Sequence, residues 1–364
     1  MIYLDHNATS IIRPEVRAKI VQLTQTMLAN PSSIHQAGNR SRSLIEQSRQ
    51  QMADFFQQPE KNHVIFTASG SEANNTIMRS FAPTKIAISG IEHPSILRGE
   101  HQGSCHKIKV MANGEVDLNH LEQLLEQHQL QLVSIMLANN EVGTLQPMQQ
   151  IAKLCQQHGV LLHSDCTQAL GRIKYQHLKQ LIPYFDFITA CFHKCGGMIG
   201  VGAIITKHTN LLKALIHGGD QEHKLRAGTE NTLLIATLPT ILEQIRNCDQ
   251  EVEQYQRFKD IIATSLPATA IFNASPAIAN TLAITMLGVE RQTQLMHFDM
   301  NDIAIGIGSA CSSGSSRESH VLAAIGFSKK QARSTIRISM GWNTSENCVI
   351  TFINSWHELY QRSN

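Results

Sequence analysis

The sequence predicts an α/β protein, with a large domain built on a mostly parallel sheet and a smaller α+β domain. Three observations predict it. Short β-branched and apolar runs alternate with helical segments through the first two thirds of the chain, the pattern of a parallel sheet covered on both faces. Polar residues able to do chemistry stand just past those runs, at the strand ends where such sheets bind ligands. After Ala236 the pattern changes to long helical stretches with only short strands between them. We therefore assign residues 14–245 to the large domain, and residues 1–13 with 246–364 to the small one.

In order, MIYLDHNATS opens with a short strand and a polar turn, and Pro14 starts the helix of RPEVRAKIVQLTQTML, a first-turn position proline tolerates. NPSSIHQAGNR reads as a loop. SRSLIEQSRQQMADFFQ follows as a helix, with Leu44, Ile45, Met52, Phe55 and Phe56 near helical spacing. HVIFTA is a strand, SGSEANNTIMRSF a turn and helix, and KIAIS a strand. Asp117 caps DLNHLEQLLEQH, whose Leu118, Leu121 and Leu125 form one stripe. LQLVSIML is a strand, and Pro147 and Gly159 bound the helix of PMQQIAKLCQQHG. VLLHSD, FDFITA and VGAIIT are strands. TLPTILEQIRNCDQEVEQYQRFKDIIATSL reads as one long helix. NTLAITML and TIRISM are short strands, with helices around 290–299, 316–325 and 346–360.

Composition excludes several classes. With 42% hydrophobic and 16% charged residues and a formal charge of +2, the chain is globular and carries no polyelectrolyte signal for nucleic acid. No apolar run approaches the roughly 18 residues that cross a bilayer. The N-terminus lacks a basic stretch followed by an apolar one, so no secretory signal is expected. The eight cysteines form no CxxC pair, which suits a reduced, cytoplasmic protein whose cysteines are mostly small core residues.

Certain stretches carry chemistry. HKCGG, between FDFITA and VGAIIT, places Lys194 at the end of an apolar strand. Burial favours the neutral amine, which can form a Schiff base with an aldehyde; the plain alternative is a lysine reaching to water. SGSEANN joins a strand to a helix, and a helix start offers free N–H groups to an anion. Asp165 ends a buried strand and needs a cationic partner or a hydrogen-bond network. Asn139, Asn140 and Glu141 follow another strand, and His93 a third. In CFHKC, Cys191, His193 and Cys195 alternate and would share one face of a strand, but the spacing fits no familiar zinc site and no metal is expected. GIGSACSSGSSRESHVL places Cys311 in a flexible Gly/Ser run, where a thiol is a liability unless its reactivity is used. RSTIRISMG alternates, with Arg337 central, a residue suited to gripping a carboxylate with two hydrogen bonds.

Taken together and in order, YLDHNAT, NPSSIHQAG, FTASGSEANN, EHPSIL, NNEVGTLQP, HSDCTQ, HK, RAGTEN, GSACSSGS with SHVL, and IRISMG resemble the cysteine desulfurases. These are fold-type I pyridoxal-phosphate enzymes of the class V aminotransferase group, with a sheet of seven-stranded type. The likeness runs nearly end to end, and GSACSSGS discriminates most. The resemblance implies that Lys194 is the Schiff-base lysine, that Asp165 partners the pyridinium nitrogen and that His93 stacks on the ring. Asn140 and Gln168 would contact its phenolic oxygen. Gly70, Ser71 and His193 would bind the phosphate, as would Cys191, which stands where the family has serine or threonine. Thr229 would reach the phosphate from the second subunit of a homodimer. Arg337, with Asn140, would hold the substrate carboxylate, and Cys311 would be the nucleophile. The implied reaction turns L-cysteine into L-alanine and leaves a persulfide on Cys311, destined for a sulfur-acceptor protein in iron–sulfur cluster or tRNA thiolation pathways. Other class V lyases or transaminases, and a weakly active scaffold subunit, are the alternatives. The chain departs from the family pattern at Phe192 (usually glycine), at GGMIG after Lys194, at Lys224 (usually glycine) and at GSSRES in the cysteine loop.

Overall fold

The structure is a computed structural model that describes residues 1–98, 104–272, 276–308 and 318–363. Its strands are β1 (Ile2–Tyr3), β2 (Val64–Thr67), β3 (Ile86–Ser89), β4 (His106–Ile108), β5 (Leu132–Ser134), β6 (Leu161–Asp165), β7 (Phe187–Cys191), β8 (Gly202–Ile205), β9 (Thr281–Thr285), β10 (Ile303–Ala304) and β11 (Thr335–Ser339). Seven of them form one sheet in the order β2-β8-β7-β6-β5-β3-β4. All its pairings are parallel except those of β8, which runs antiparallel to β2 and β7.

Every residue of β2, β3, β5, β7 and β8 is buried. Burial on both faces is why these strands read as continuous apolar runs rather than alternating ones. One core cluster packs around this sheet. A second gathers Leu4, Phe258, Phe298, Phe352 and Trp356 around the β9–β11 pair. The chain start ties into the second: β1 pairs with β10, and Asp5 bridges to Ser339.

Three local expectations are corrected. The second half of NPSSIHQAGNR is helical, because the helix Gln36–Phe55 begins inside it; the His35 ring accepts the Gly38 N–H at 3.2 Å and caps that start. The long helix after Ala236 is two, Leu238–Arg246 and Asp249–Ser265. The break falls at Cys248, which is fully buried and donates its thiol to Ile173 O. Asp249 and Glu251 then favour a new helix start, where the dipole welcomes acidic groups. Among the described residues of 316–325, the helix covers only His320–Ala324 and is ended by Gly326 at φ +91°, and a further short helix follows at Lys329–Arg333.

Candidate active site

The carboxyl ends of the parallel strands open on a cavity of about 390 Å³. Asp165 and Cys191 are the last residues of β6 and β7, His93 follows β3, and Asn140 follows β5. Gly70 and Ser71 start the helix Gly70–Arg79 beyond β2. All of these line the cavity, together with Gln168, His193 and Lys194. β7 stops at Cys191, so Cys191, His193 and Cys195 do not share a strand face. Among the described residues no group of His, Cys, Asp or Glu could hold a metal ion.

The electrostatics divide the lining sharply. Burial lowers the Lys194 pKa, with Asp165 pulling the other way. Burial, reinforced by the Lys194 charge, brings His93 and His193 down to about 4. Burial alone would raise Asp165, but Asn74 Nδ2 donates to Oδ2 at 2.8 Å and the Thr167 N–H to Oδ1 at 3.0 Å, and the net effect lowers it. The same Asn74 amide donates to Ser95 Oγ at 2.9 Å, and Ser95 Oγ lies 2.8 Å from His93 Nδ1. Because the Ser95 backbone N–H also donates to that nitrogen, Nδ1 is the acceptor and neutral His93 carries its proton on Nε2. One hydrogen-bonded chain thus links His93 to Asp165.

At the other end, Ser69 caps the helix Gly70–Arg79 by accepting the Glu72 N–H. Gly70 packs so closely that a Cβ there would lie 3.3 Å from Cys191 Cβ. The Cys191 thiol donates weakly to Val201 O at 3.6 Å, and burial raises its pKa. Phe192 is fully buried, and a Cβ on Gly197 would sit 2.9 Å from Phe192 Cβ, so the backbone of the GGMIG turn packs directly against this ring's stem.

Two predicted residues lie elsewhere. Thr229 is exposed and does not line this cavity. Its loop is anchored by Glu222, which takes two hydrogen bonds from buried Arg49 (2.7 and 2.8 Å) and one from the Phe66 N–H. Lys224, where the family has glycine, holds φ +69°. Arg337 is buried and does not line this cavity, paired with Asp5 at 2.6 Å. Cys311 lies outside the described residues. Just downstream, Ser319 donates to Glu141 and His320 Nε2 to Glu92 O, tying that point to the loops after β5 and β3.

Sequence reasoning missed a strap at residues 5–10. Asn7 Nδ2 donates to Asn140 O (3.0 Å) and Thr281 Oγ1, while Asn7 O accepts from Gln168 Nε2 (3.2 Å). Thr9 Oγ1 meets His193 Nδ1 at 3.1 Å, and the Ser10 N–H donates to His193 O. Arg172 donates to both His6 O and Lys194 O. YLDHNAT was a visible motif, but a short polar turn gives no sign of what it will touch.

The class-V aminotransferase family model matches residues 2–352. A cysteine desulfurase IscS of Dictyoglomus turgidum is 31% identical, over 95% of this chain and 91% of its own. A cysteine desulfurase of Sinorhizobium fredii is 32% identical, over 95% and 93%. Among solved structures, a NifS-like protein from Rickettsia africae superposes with a TM-score of 0.90 at 35% identity, covering 99% of both chains. The chain belongs to the class-V aminotransferase family, among relatives named cysteine desulfurase.

Proposed function

We propose that the protein is a cysteine desulfurase, converting L-cysteine to L-alanine and carrying the sulfur away as a persulfide on Cys311. The cofactor of its family is pyridoxal 5'-phosphate, and the lining fits it. Asn74 Oδ1 and Gln168 Oε1 are buried on the cavity wall with no hydrogen-bond partner among the described residues, so polar groups await a ligand there. Gly70, Ser71, Cys191 and His193 would take the phosphate at the helix start, Asp165 the ring nitrogen, His93 the ring face, and Asn140 with Gln168 the phenolic oxygen. Bound there, the cofactor supplies an electron sink for charge developing at the substrate Cα.

The chain's own residues supply the rest. Lys194, poised toward its neutral form, accepts the Cα proton at Nζ, a contribution of typically 10²–10⁴-fold. Arg337 and Asn140 hold the substrate carboxylate. The Cys311 thiolate attacks the substrate sulfur: an S–S bond forms, the substrate C–S bond breaks, and its electron pair stays with the carbon, which takes up a proton as alanine forms. The observation that carries the reading is that Lys194 and Asp165 line one cavity, the first shifted toward its neutral form and the second toward its charged one.

A homodimer belongs to the same reading, since exposed Thr229 is free to meet a second copy's phosphate site. So do the domain division at residues 14–245, a cytoplasmic location, and transfer to an acceptor protein serving iron–sulfur clusters or tRNA thiolation. The test is to purify the protein, record its visible spectrum, and assay sulfide and alanine from cysteine with a reductant. Lys194→Ala should lose the lysine-linked yellow colour, and Cys311→Ser should keep it while abolishing sulfide release. Sulfide at the wild-type rate from Cys311→Ser overturns the mechanism, and a colourless protein that cannot be reconstituted favours a scaffold role.

A further inference from the structure

We infer that Asp5 is a positioning residue that sets Arg337 to receive the substrate's carboxylate, an inference that rests on the role proposed for Arg337. A guanidinium has five N–H bonds to place. Arg337 Nη1 donates to Asn140 O at 3.1 Å and Gly308 O at 3.2 Å, and Nη2 donates to Asp5 Oδ1 at 2.6 Å. That commits three. Nε is buried with no partner among the described residues, and one Nη2–H remains beside it. Nε and Nη2 share one edge of the guanidinium, the edge a carboxylate grips with two parallel bonds.

The three acceptors therefore do two things. They fix the plane of the side chain from the segment after β1, which carries Asp5, and from the loops carrying Asn140 and Gly308, and they leave free the number of donors that a carboxylate takes. Of the three, only Asp5 is a side chain, and only it brings a charge opposite the arginine. The backbone is shaped around the contact: a Cβ on Gly306 would lie 2.7 Å from Nη2 and 2.8 Å from Asp5 Oδ1. Gly306 is bonded to Arg337 through both backbone groups, so it cannot move aside without breaking that pairing.

The experiment is steady-state kinetics with L-cysteine on the holoenzyme, with the dissociation constant for L-alanine measured by calorimetry. Asp5→Ala should raise KM about tenfold and weaken alanine in parallel, while kcat stays within about threefold. Asp5→Asn, which keeps an acceptor oxygen, should recover most of the loss. Gly306→Ala, which wedges the pair apart without removing either charge, should raise KM in the same direction. Melting curves establish that each variant is folded. A lower KM in Asp5→Ala would mean that Asp5 competes with substrate, and an unchanged KM that it is merely structural; either overturns the inference. Arg337→Lys separates the two ideas. If it leaves KM unchanged, the role of Arg337 itself fails; if it raises KM while Asp5→Ala does not, only the role of Asp5 fails.

Discussion

Replacing Cys191 with serine should tighten pyridoxal phosphate binding. Cys191 closes β7 beside Gly70, at the start of the helix proposed to hold the phosphate. Its thiol makes one weak hydrogen bond, at 3.6 Å to Val201 O, and a thiol is a poor donor. A hydroxyl donating to an anion is worth roughly 1.5–3 kcal/mol. At about 1.4 kcal/mol per factor of ten, that corresponds to a dissociation constant lower by roughly ten- to a hundredfold. The empty protein should respond in the opposite sense. Without phosphate, the shorter Cβ–O bond leaves a hydroxyl in a buried site with poor partners, at a cost of about 1–3 kcal/mol. Stripping the cofactor with hydroxylamine and titrating it back gives the affinity, and urea melts of the stripped protein give the stability. Cys191→Ala is the control and should bind like the wild type. An unchanged or weaker affinity in Cys191→Ser refutes the reasoning, because the side chain at 191 would then not face the phosphate.

Other outcomes follow from buried groups. Arg49→Met leaves Glu222 charged and buried without its partner, and such losses cost about 3–5 kcal/mol; a loss below about 1 kcal/mol in a urea melt would show that the pair does not anchor the loop. Lys224→Gly should stabilise by about 1 kcal/mol, since φ +69° is left-handed backbone that burdens any residue with a Cβ. Glu92 is wholly buried, and burial raises its carboxyl to about 8. Between its ordinary value of 4.5 and about 8, the folded protein holds a proton that the unfolded chain releases, so this group makes stability fall as pH rises, by up to about 1.4 kcal/mol per unit. Below pH 6.5 the lowered histidines pull the other way, so Glu92→Gln should flatten the stability curve chiefly between pH 6.5 and 8; a curve identical to wild type would mean that Glu92 is already ionised there.

The sheet was legible because strands buried on both faces have no polar face, and FDFITA, VGAIIT and KIAIS announce themselves by apolar content alone. Strand-end chemistry was legible for the same reason: Asp165 and Lys194 stand out against their apolar strands. What stayed hidden was set by contacts between distant residues. The break at Cys248 depends on a carbonyl at Ile173, and the helical continuation of Gln36 depends on a capping ring one residue before it. The strap at 5–10 is polar and locally unremarkable, and its meaning lies in partners at 140, 168, 193 and 337. Arg337 was picked out by its place in an alternating strand, but only the assembled fold reveals that three of its donors are already taken.

The buried charges around the cavity point to a single logic. Five basic side chains in or beside it are driven toward their neutral forms: His6 to about 3, His93, His163 and His193 to about 4, and Lys194 in the same direction. In each case burial is the largest cause. Asp165 meets the same burial and goes the other way, because Asn74 and Thr167 donate to its two oxygens. Without those two donors, burial would push the Asp165 carboxyl up, away from the anion that a ring nitrogen would face. Had the histidines remained charged, their field would have opposed the one that Asp165 exerts at the cavity. Asn74 therefore matters as much as the carboxylate it serves, and it reaches from there through Ser95 to His93. One amide in the helix after β2 thus helps set which charge the cavity keeps, alongside the Thr167 N–H, and links that carboxylate to the histidine opposite.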